Sequence, residues 1–101
     1  MRQKPTEISD TRVTITSASR ATPESNDGRV LLHLETGRMC AINAMGSRIW
    51  TELDAGHTFQ EIVEILAAEY DAPRERIEAD VRAFIERLAS KDYVRTPGGA
   101  E

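Results

Sequence analysis

The stretch LETGRMCAINAMGSRIW, residues 34–50, contains the change from strand to helix that decides the fold. Residues 35–37 (ETG) form a short polar turn, and the largely apolar run that follows at residues 38–42 is typical of a β-strand. Asn43 comes next, and its side-chain oxygen can accept a backbone N–H from the first turn of a helix. The stretch therefore predicts a strand that stops at Asn43 and a helix that begins directly after it.

Three helices are predicted from this point onward. The first ends near residue 54. The second begins at a capping box, because Glu61 lies three residues after Thr58, and it ends at residues 71–73 (DAP). The third continues to about Lys91. Their apolar positions recur at helical spacing: Met45, Ile49 and Leu53 in the first, Phe59, Ile62, Val63, Leu66, Ala67 and Tyr70 in the second, and Ile77, Val81, Phe84 and Leu88 in the third.

Two further strands are predicted before the quoted stretch. Residues 12–17 (RVTITS) alternate between apolar and polar side chains, and residues 29–34 (RVLLHL) are largely apolar. The small polar residues between them, 18–28, predict a loop. Three short strands joined in sequence predict an antiparallel meander, with residues 38–42 as its third strand. The fold class is therefore α+β and winged helix-turn-helix-like, a three-stranded antiparallel sheet followed by three α-helices.

The composition fits one small domain. The chain has 101 residues, of which 40% are apolar. We predict a flexible N-terminal arm at residues 1–11, a globular domain at 12–94 and a flexible tail at 95–101. The chain shows neither an apolar run long enough to cross a bilayer nor the apolar core of a signal peptide, which predicts a cytoplasmic protein without a membrane partner.

The residue types that carry chemistry are scarce. One cysteine and two histidines allow no internal disulfide and no complete zinc ligand set. Cys40 lies in an apolar strand without an activating neighbour, and neither His33 nor His57 has the pattern of a catalytic triad partner. We predict a protein that is not an enzyme and needs neither a metal nor a cofactor. A net charge of -4 also argues against nucleic acid as a partner.

The third strand is the feature that indicates a binding function. It lies last in the meander, and an edge strand presents unpaired N–H and C=O groups to which another extended chain can pair. Peptide recognition by strand addition uses this property. The alternative is that the N-terminal arm or a second copy of the protein covers the edge, so that both a monomer and a weak homodimer remain open.

The chain from residue 28 to residue 94 resembles the PqqD-like family of precursor-peptide recognition elements. The similarity is carried by the strand-turn-strand segment LLHLETGRMCAIN, the helix opening NAMGSRIW and the later segment DVRAFIERL. Proteins of this family serve the biosynthesis of ribosomally made, post-translationally modified peptides. The resemblance implies a winged-helix-like fold and a non-catalytic adaptor. Such an adaptor binds the leader of a precursor peptide as a strand added to the third strand, in the groove beside the third helix.

The resemblance also implies the regions that form this groove. The third strand would be one wall, and the third helix, with side chains chosen on a helical wheel, would be the other. The strand wall is Arg38, Met39, Cys40, Ala41 and Ile42, and the helix wall is Arg74, Glu78, Val81, Arg82 and Ile85.

Within the family, the LETG turn followed by NAMGSRIW looks more like the freestanding recognition proteins of lasso-peptide pathways than like the pyrroloquinoline quinone protein. That resemblance implies two enzyme partners, a transglutaminase-like leader peptidase and an asparagine-synthetase-like cyclase. The alternative is a peptide chaperone of pyrroloquinoline quinone biosynthesis, which would serve a radical S-adenosylmethionine enzyme. A third class, a winged-helix DNA-binding regulator, shares the fold but requires a basic helical face for phosphate contact.

Overall fold

A computed structural model describes residues 13–25 and 27–96. The predicted arm at residues 1–11 and the tail from residue 97 onward lie outside the described residues. The elements in chain order are β1 (Thr14–Ile15), β2 (Ser19–Ala21), β3 (Arg29–His33), β4 (Met39–Ile42), α1 (Ala44–Asp54), α2 (Phe59–Tyr70), α3 (Arg74–Ser90) and β5 (Val94–Arg95).

The strands form two antiparallel sheets. The larger sheet has the order β2-β3-β4, and β1 pairs with β5 in a separate two-stranded sheet. A three-stranded antiparallel sheet precedes three helices, so the predicted α+β class is confirmed. The strand β5, which follows the last helix, was not predicted, and it includes Arg95, the first residue of the expected tail.

The predicted membership of the larger sheet is wrong in one strand. The segment 12–17 contains β1, but β1 pairs with β5 and not with the next strand along the chain. The first strand of the larger sheet is β2, inside the segment that was predicted to be a loop. Its small polar residues are compatible with a strand because Ser19 is buried and its hydroxyl donates to the carbonyl of Tyr93 at 3.0 Å.

The predicted helix starts are confirmed at atomic detail. Asn43 Oδ1 accepts from the Gly46 N–H at 2.8 Å, which begins α1 directly after β4. Thr58 and Glu61 form the reciprocal capping box at the start of α2, with each side chain bonded to the other residue's backbone N–H. These bonds satisfy donors that a helix start otherwise leaves without partners. The change from sheet to helices therefore occurs within one residue.

One hydrophobic core lies between the larger sheet and the helices. Each helix contributes an apolar stripe, and β3 contributes Leu31. Cys40 is half-buried and packs against this core. The side chains without exposed surface are Leu31, Phe59, Ile62, Val63, Leu66, Val81, Ile85 and Leu88. No helix in the described ranges is long and apolar enough to cross a membrane.

Gly28 allows the start of β3 to lie against the end of β4. Its φ is +114°, and a Cβ at this position would lie 2.0 Å from the Ile42 carbonyl oxygen. Gly37, in the β3–β4 turn, also has a positive φ of +75°, but a Cβ there would meet nothing within 4 Å. The two glycines therefore separate the cost of backbone strain from the cost of a steric clash.

We expect Gly28→Ala to lower the free energy of unfolding by about 3 kcal/mol, because strain and clash act together. Gly37→Ala is the matched control, with an expected loss of about 1 kcal/mol from the left-handed backbone alone. Equilibrium urea denaturation of both variants measures the difference. Equal losses would mean that the approach of Gly28 to Ile42 contributes nothing to stability.

Candidate functional site

The backbone of β4 has one open side. β4 is at the end of the strand order, and it pairs with β3 in a register that places Leu31 opposite Cys40. The His33 N–H donates to the Arg38 carbonyl at 2.9 Å, so His33 and Arg38 form a hydrogen-bonded pair of this ladder. Hydrogen-bonded pairs alternate along an antiparallel ladder. The N–H and C=O groups of Met39 and Ala41 therefore point away from β3, and within the described part of the chain no strand pairs with them.

The side chains of β4 alternate between the core and solvent. Ile42 is buried and Cys40 is half-buried, whereas Met39 is 68% exposed and Ala41 is also exposed. The strand is thus anchored on one face by core packing. Core packing and the pairing with β3 hold β4 in an extended conformation, so its outer edge is ordered without a further strand.

Two cavities border α3, one beside β4 and the other beside α1. The first, of about 520 Å³, is formed by the β3–β4 turn and the start of β4 on one side and by the end of α3 on the other. The second, of about 510 Å³, lies between α1 and the middle of α3. The α3 side chains at the second cavity are Asp80, Ala83, Phe84 and Arg87.

Phe84 connects the second cavity to the core. Its side chain is 9% exposed, and the guanidinium carbon of Arg87 lies 5.8 Å from the centre of its ring. A Cβ at Gly46 would lie 2.7 Å from the Phe84 ring, so the glycine in α1 permits the close approach of the two helices. The cavity therefore offers an aromatic floor with a cation at its rim.

The predicted strand wall lies beside these cavities. Arg38, Met39 and Cys40 line the first cavity. Ala41 contributes open backbone groups, and Ile42 is buried beneath the strand. Three of the five predicted strand residues thus line the cavity between β4 and α3, Ala41 is exposed at the open edge, and Ile42 belongs to the core.

The predicted helix wall does not face β4. Arg74 lies 3.7 Å from Glu64 of α2, and Arg82 lies over the ring of Phe59 of α2 at 4.9 Å. Glu78 bonds to Arg82 at 3.1 Å on the same flank. A helical wheel groups residues by flank but does not identify the element that each flank meets, and these contacts place this flank against α2. The role of these residues in leader binding stays a prediction.

The two apolar members of the predicted helix wall are core residues. Val81 and Ile85 have no exposed surface. The flank of α3 that does border the cavities, with Asp80, Phe84 and Arg87, was missed. Its sequence signal is weak, since Phe84 fits the core stripe as well as the cavity floor.

The β3–β4 turn is attached to the end of α3 by His33. Its Nδ1 accepts from the backbone N–H groups of Glu35 and Thr36 at 3.3 Å, and its Nε2 lies 3.1 Å from Asp92 Oδ2. Because Nδ1 accepts, Nε2 carries the proton and donates it to Asp92. His33 is 2% exposed, so its role is structural.

Tyr93 completes this attachment. Its hydroxyl donates to the Arg38 carbonyl at 3.2 Å, and its ring meets the His33 ring edge-on at 5.8 Å between centroids. Burial raises the pKa of Tyr93 above 10.0, so the hydroxyl remains a donor at neutral pH. Arg38, the first residue of the predicted strand wall, is thereby held at a defined distance from the end of α3.

The described residues contain no group of three or more His, Cys, Asp or Glu residues placed to hold a metal ion. Cys40 Sγ contacts the Ala41 carbonyl at 3.9 Å, a contact that does not activate a thiol. The site offers backbone hydrogen bonds, two cavities and charged rims.

β4 is an open edge strand, and α3 borders two cavities beside it. This arrangement is typical of a winged-helix-like domain that recognises an extended chain. Residues 28–94 match the family model described as coenzyme PQQ synthesis protein D (PqqD), and the protein belongs to this family. The resemblance found in the sequence is therefore confirmed. No curated protein sequence matches the chain significantly.

Three solved structures share the fold. TbiB1, solved in complex with the TbiA(beta) leader peptide, is 39% identical, with a TM-score of 0.77 over 87% of this chain and 99% of TbiB1. The PqqD truncation of PqqCD from Methylobacterium extorquens, described as a stand-alone recognition element for ribosomally synthesised and modified peptides, is 25% identical, with a TM-score of 0.71 over 92% of this chain and 99% of its own.

The third structure supports the fold alone. It is a lasso peptide synthetase B1 complexed with its leader peptide, 21% identical, with a TM-score of 0.75 over 84% of this chain and 99% of that protein. All three solved chains are covered almost completely.

The attachment of His33 predicts a pH-dependent contribution to stability. The hydrogen bond from His33, supported by Arg95, holds the pKa of Asp92 below its ordinary value of 3.8. A carboxylate with a depressed pKa stabilises the folded state above its unfolded pKa, and this contribution is lost as the pH falls through the folded pKa.

We expect Asp92→Asn to melt at a lower temperature than the wild type at pH 7, and the gap to narrow as the pH falls below about 4. Thermal melts followed by circular dichroism between pH 7 and about pH 2 measure this gap. A gap of constant size across that range would show that the charge of Asp92 is not the stabilising feature.

Proposed function

We propose that this protein is a non-catalytic adaptor that binds the leader region of a ribosomally made precursor peptide by strand addition to β4. The observation that carries the proposal is the open backbone of Met39 and Ala41, next to two cavities bordered by α3. A protein 39% identical over most of this chain has been solved in complex with a leader peptide, which supports the same use of the fold.

The energetics place the recognition in the side chains. Each new backbone hydrogen bond contributes about 0.5–1.5 kcal/mol net, whereas ordering the peptide costs about 1–2 kcal/mol per residue. Backbone pairing alone therefore does not give useful affinity. Burying an apolar side chain contributes about 1.5–3 kcal/mol, so two or three leader side chains in the cavities must supply the remainder.

The strand wall of the site remains as predicted, apart from the buried Ile42. On the helix side, we expect the leader to contact Asp80, Phe84 and Arg87, which line the second cavity. Val81 and Ile85 have no exposed surface, so they pack in the core. The leader is expected to run between the two elements, with alternate side chains directed into the cavities.

The adaptor acts by proximity. A leader held on β4 remains covalently joined to the core peptide, and an enzyme that contacts the adaptor meets that core peptide at a raised effective concentration. This requires no catalytic group on the adaptor. It also explains why a domain with few reactive side chains has a place in a biosynthetic pathway.

A lasso-peptide pathway is the favoured context. This choice rests on the resemblance of the residues around the β3–β4 turn to the freestanding lasso-pathway proteins. The 39% identity to TbiB1 exceeds the 25% identity to the M. extorquens PqqD domain, which argues against the quinone alternative. The expected partners are a leader peptidase of transglutaminase type and an asparagine-synthetase-like cyclase, all in the cytoplasm, with the adaptor as a monomer or weak homodimer. The alternative is a quinone-pathway adaptor that serves a radical S-adenosylmethionine enzyme.

Proline at position 41 tests strand addition directly. Ala41→Pro removes an N–H that points away from β3, so the ladder with β3 is unchanged while the ring blocks the open side. We expect the affinity for fluorescein-labelled TbiA(beta) leader peptide, measured by anisotropy, to fall by about tenfold or more. Melting should remain cooperative.

Ala41→Val is the matched control, because valine retains the N–H and favours a strand. It should bind within about twofold of the wild type. Labelled leaders of a quinone pathway and duplex DNA complete the comparison. Undiminished leader affinity in a folded Ala41→Pro variant would exclude strand addition at this edge, and saturable binding of DNA alone would favour a regulator.

A further inference from the structure

The cations in the part of the chain that the structure describes fall into two groups. Five arginines lie within 4 Å of a carboxylate, and Arg20 donates to the backbone carbonyls of Ser17 and Ser19. The five paired arginines are Arg29, Arg48, Arg74, Arg82 and Arg95. In a chain with net charge -4, paired arginines are the expected condition.

Three of the four remaining described cations line the two cavities along α3. Arg38, Arg76, Arg87 and Lys91 have no ion pair with any residue of the ranges 13–25 and 27–96. Arg38 and Lys91 line the first cavity from opposite sides, and Arg87 lines the second. On a wheel of about 100° per residue, continued from α3 to its C-cap Lys91, the side chains of Arg76, Arg87 and Lys91 fall within about 60° of one another.

The carboxylates near this flank do not neutralise it. Asp80 borders the second cavity as a single charge. Asp92 borders the first cavity, but it accepts from His33 and lies 3.4 Å from Arg95. The groove formed by the two cavities along α3 thus presents a positive excess in a protein that is negative overall. Such an excess favours a ligand that carries negative charge.

We propose that this groove selects leader segments that carry carboxylates, with Arg87 and Lys91 as the specificity-determining residues and Arg38 as their counterpart on β4. The inference rests on the proposed function. Guanidinium and ammonium groups form strong charge-assisted hydrogen bonds with carboxylates. They are placed at the rims, where they act on the register of the leader and on the choice between leaders.

The geometry specifies the spacing of these carboxylates. Arg87 lies in the last turn of α3 and Lys91, its C-cap, follows four residues later, a rise of about 6 Å. In an added strand, residues i and i+2 face the same side and lie about 6.6 Å apart. The recognised leader should therefore carry Asp or Glu at two alternate positions on the face directed toward α3.

A nucleic acid fits these observations less well. Stable duplex binding at physiological salt uses several phosphate contacts, about six to ten in strong binders. The flank offers three cations interrupted by Asp80, and the cavities between the cations are partly apolar. An extended peptide satisfies the strand edge, the cavities and the cations together, and duplex DNA serves as an arm of the test.

The test begins with an mRNA-displayed library of random peptides of about twelve residues, long enough to span β4 and both cavities, selected on the immobilised full chain. The expected result is enrichment of sequences with Asp or Glu at alternate positions. One enriched peptide is then labelled and compared with its Asn or Gln counterpart. We expect the acidic form to bind about tenfold more tightly at low salt, and this preference to shrink as salt is raised.

The variant Arg87→Gln with Lys91→Gln should lose that preference, because the acidic and amide peptides then bind alike. Cooperative thermal melting shows that the variant is folded, and its residual, saturable binding of the amide peptide shows that it still adds a strand. The matched control, Arg74→Gln with Arg95→Gln, also removes two positive charges and should retain the preference for the acidic peptide.

Each other outcome overturns the inference in a different way. Enriched peptides without carboxylates, or a preference that survives in Arg87→Gln with Lys91→Gln, would exclude carboxylate selection and leave strand addition standing. Failure to enrich any peptide would exclude the proposed function as well. Binding of duplex DNA that is lost in the same variant would assign the cations to phosphate contact.

Discussion

Tyr93 is the residue on which the arrangement of the binding groove depends. Its backbone carbonyl accepts from the Thr16 N–H and the Ser19 hydroxyl, each at 3.0 Å, and its side-chain hydroxyl donates to the Arg38 carbonyl at 3.2 Å. Tyr93, three residues after α3, therefore joins the residue after β1, the first residue of β2 and the residue before β4. Because Tyr93 is 1% exposed, these bonds form in a region of low dielectric, where leaving any of them unmade is costly.

This junction explains how an edge strand stays open and still ordered. An exposed edge is normally a liability, since it invites pairing with other copies of the chain. Here β4 is fixed by β3 on one side, by the core beneath Ile42 and by Tyr93 at its start. A ligand strand meets an edge that is already extended, so the ordering cost of binding falls mainly on the peptide.

The charges of the protein fit the same division between structure and recognition. Arg82 stacks on Phe59 of α2 and is paired with Glu78, so it stabilises the contact between α2 and α3. On the opposite flank, Arg87 has a ring beneath it and no carboxylate partner among the described residues. Opposite flanks of one helix thus serve packing and recognition, which the alternation of charges along the sequence does not reveal.

The sequence by itself determined the features that rest on local chemistry. Asn43 and the pair Thr58 and Glu61 bond to backbone groups within three residues, so their helix starts were predictable, as were the strand at residues 38–42 and the family. Only the tertiary structure decided that β1 pairs with β5 and that Arg74, Glu78 and Arg82 face α2. Those features depend on contacts between distant segments, and a local pattern of polar and apolar residues is compatible with more than one such partner.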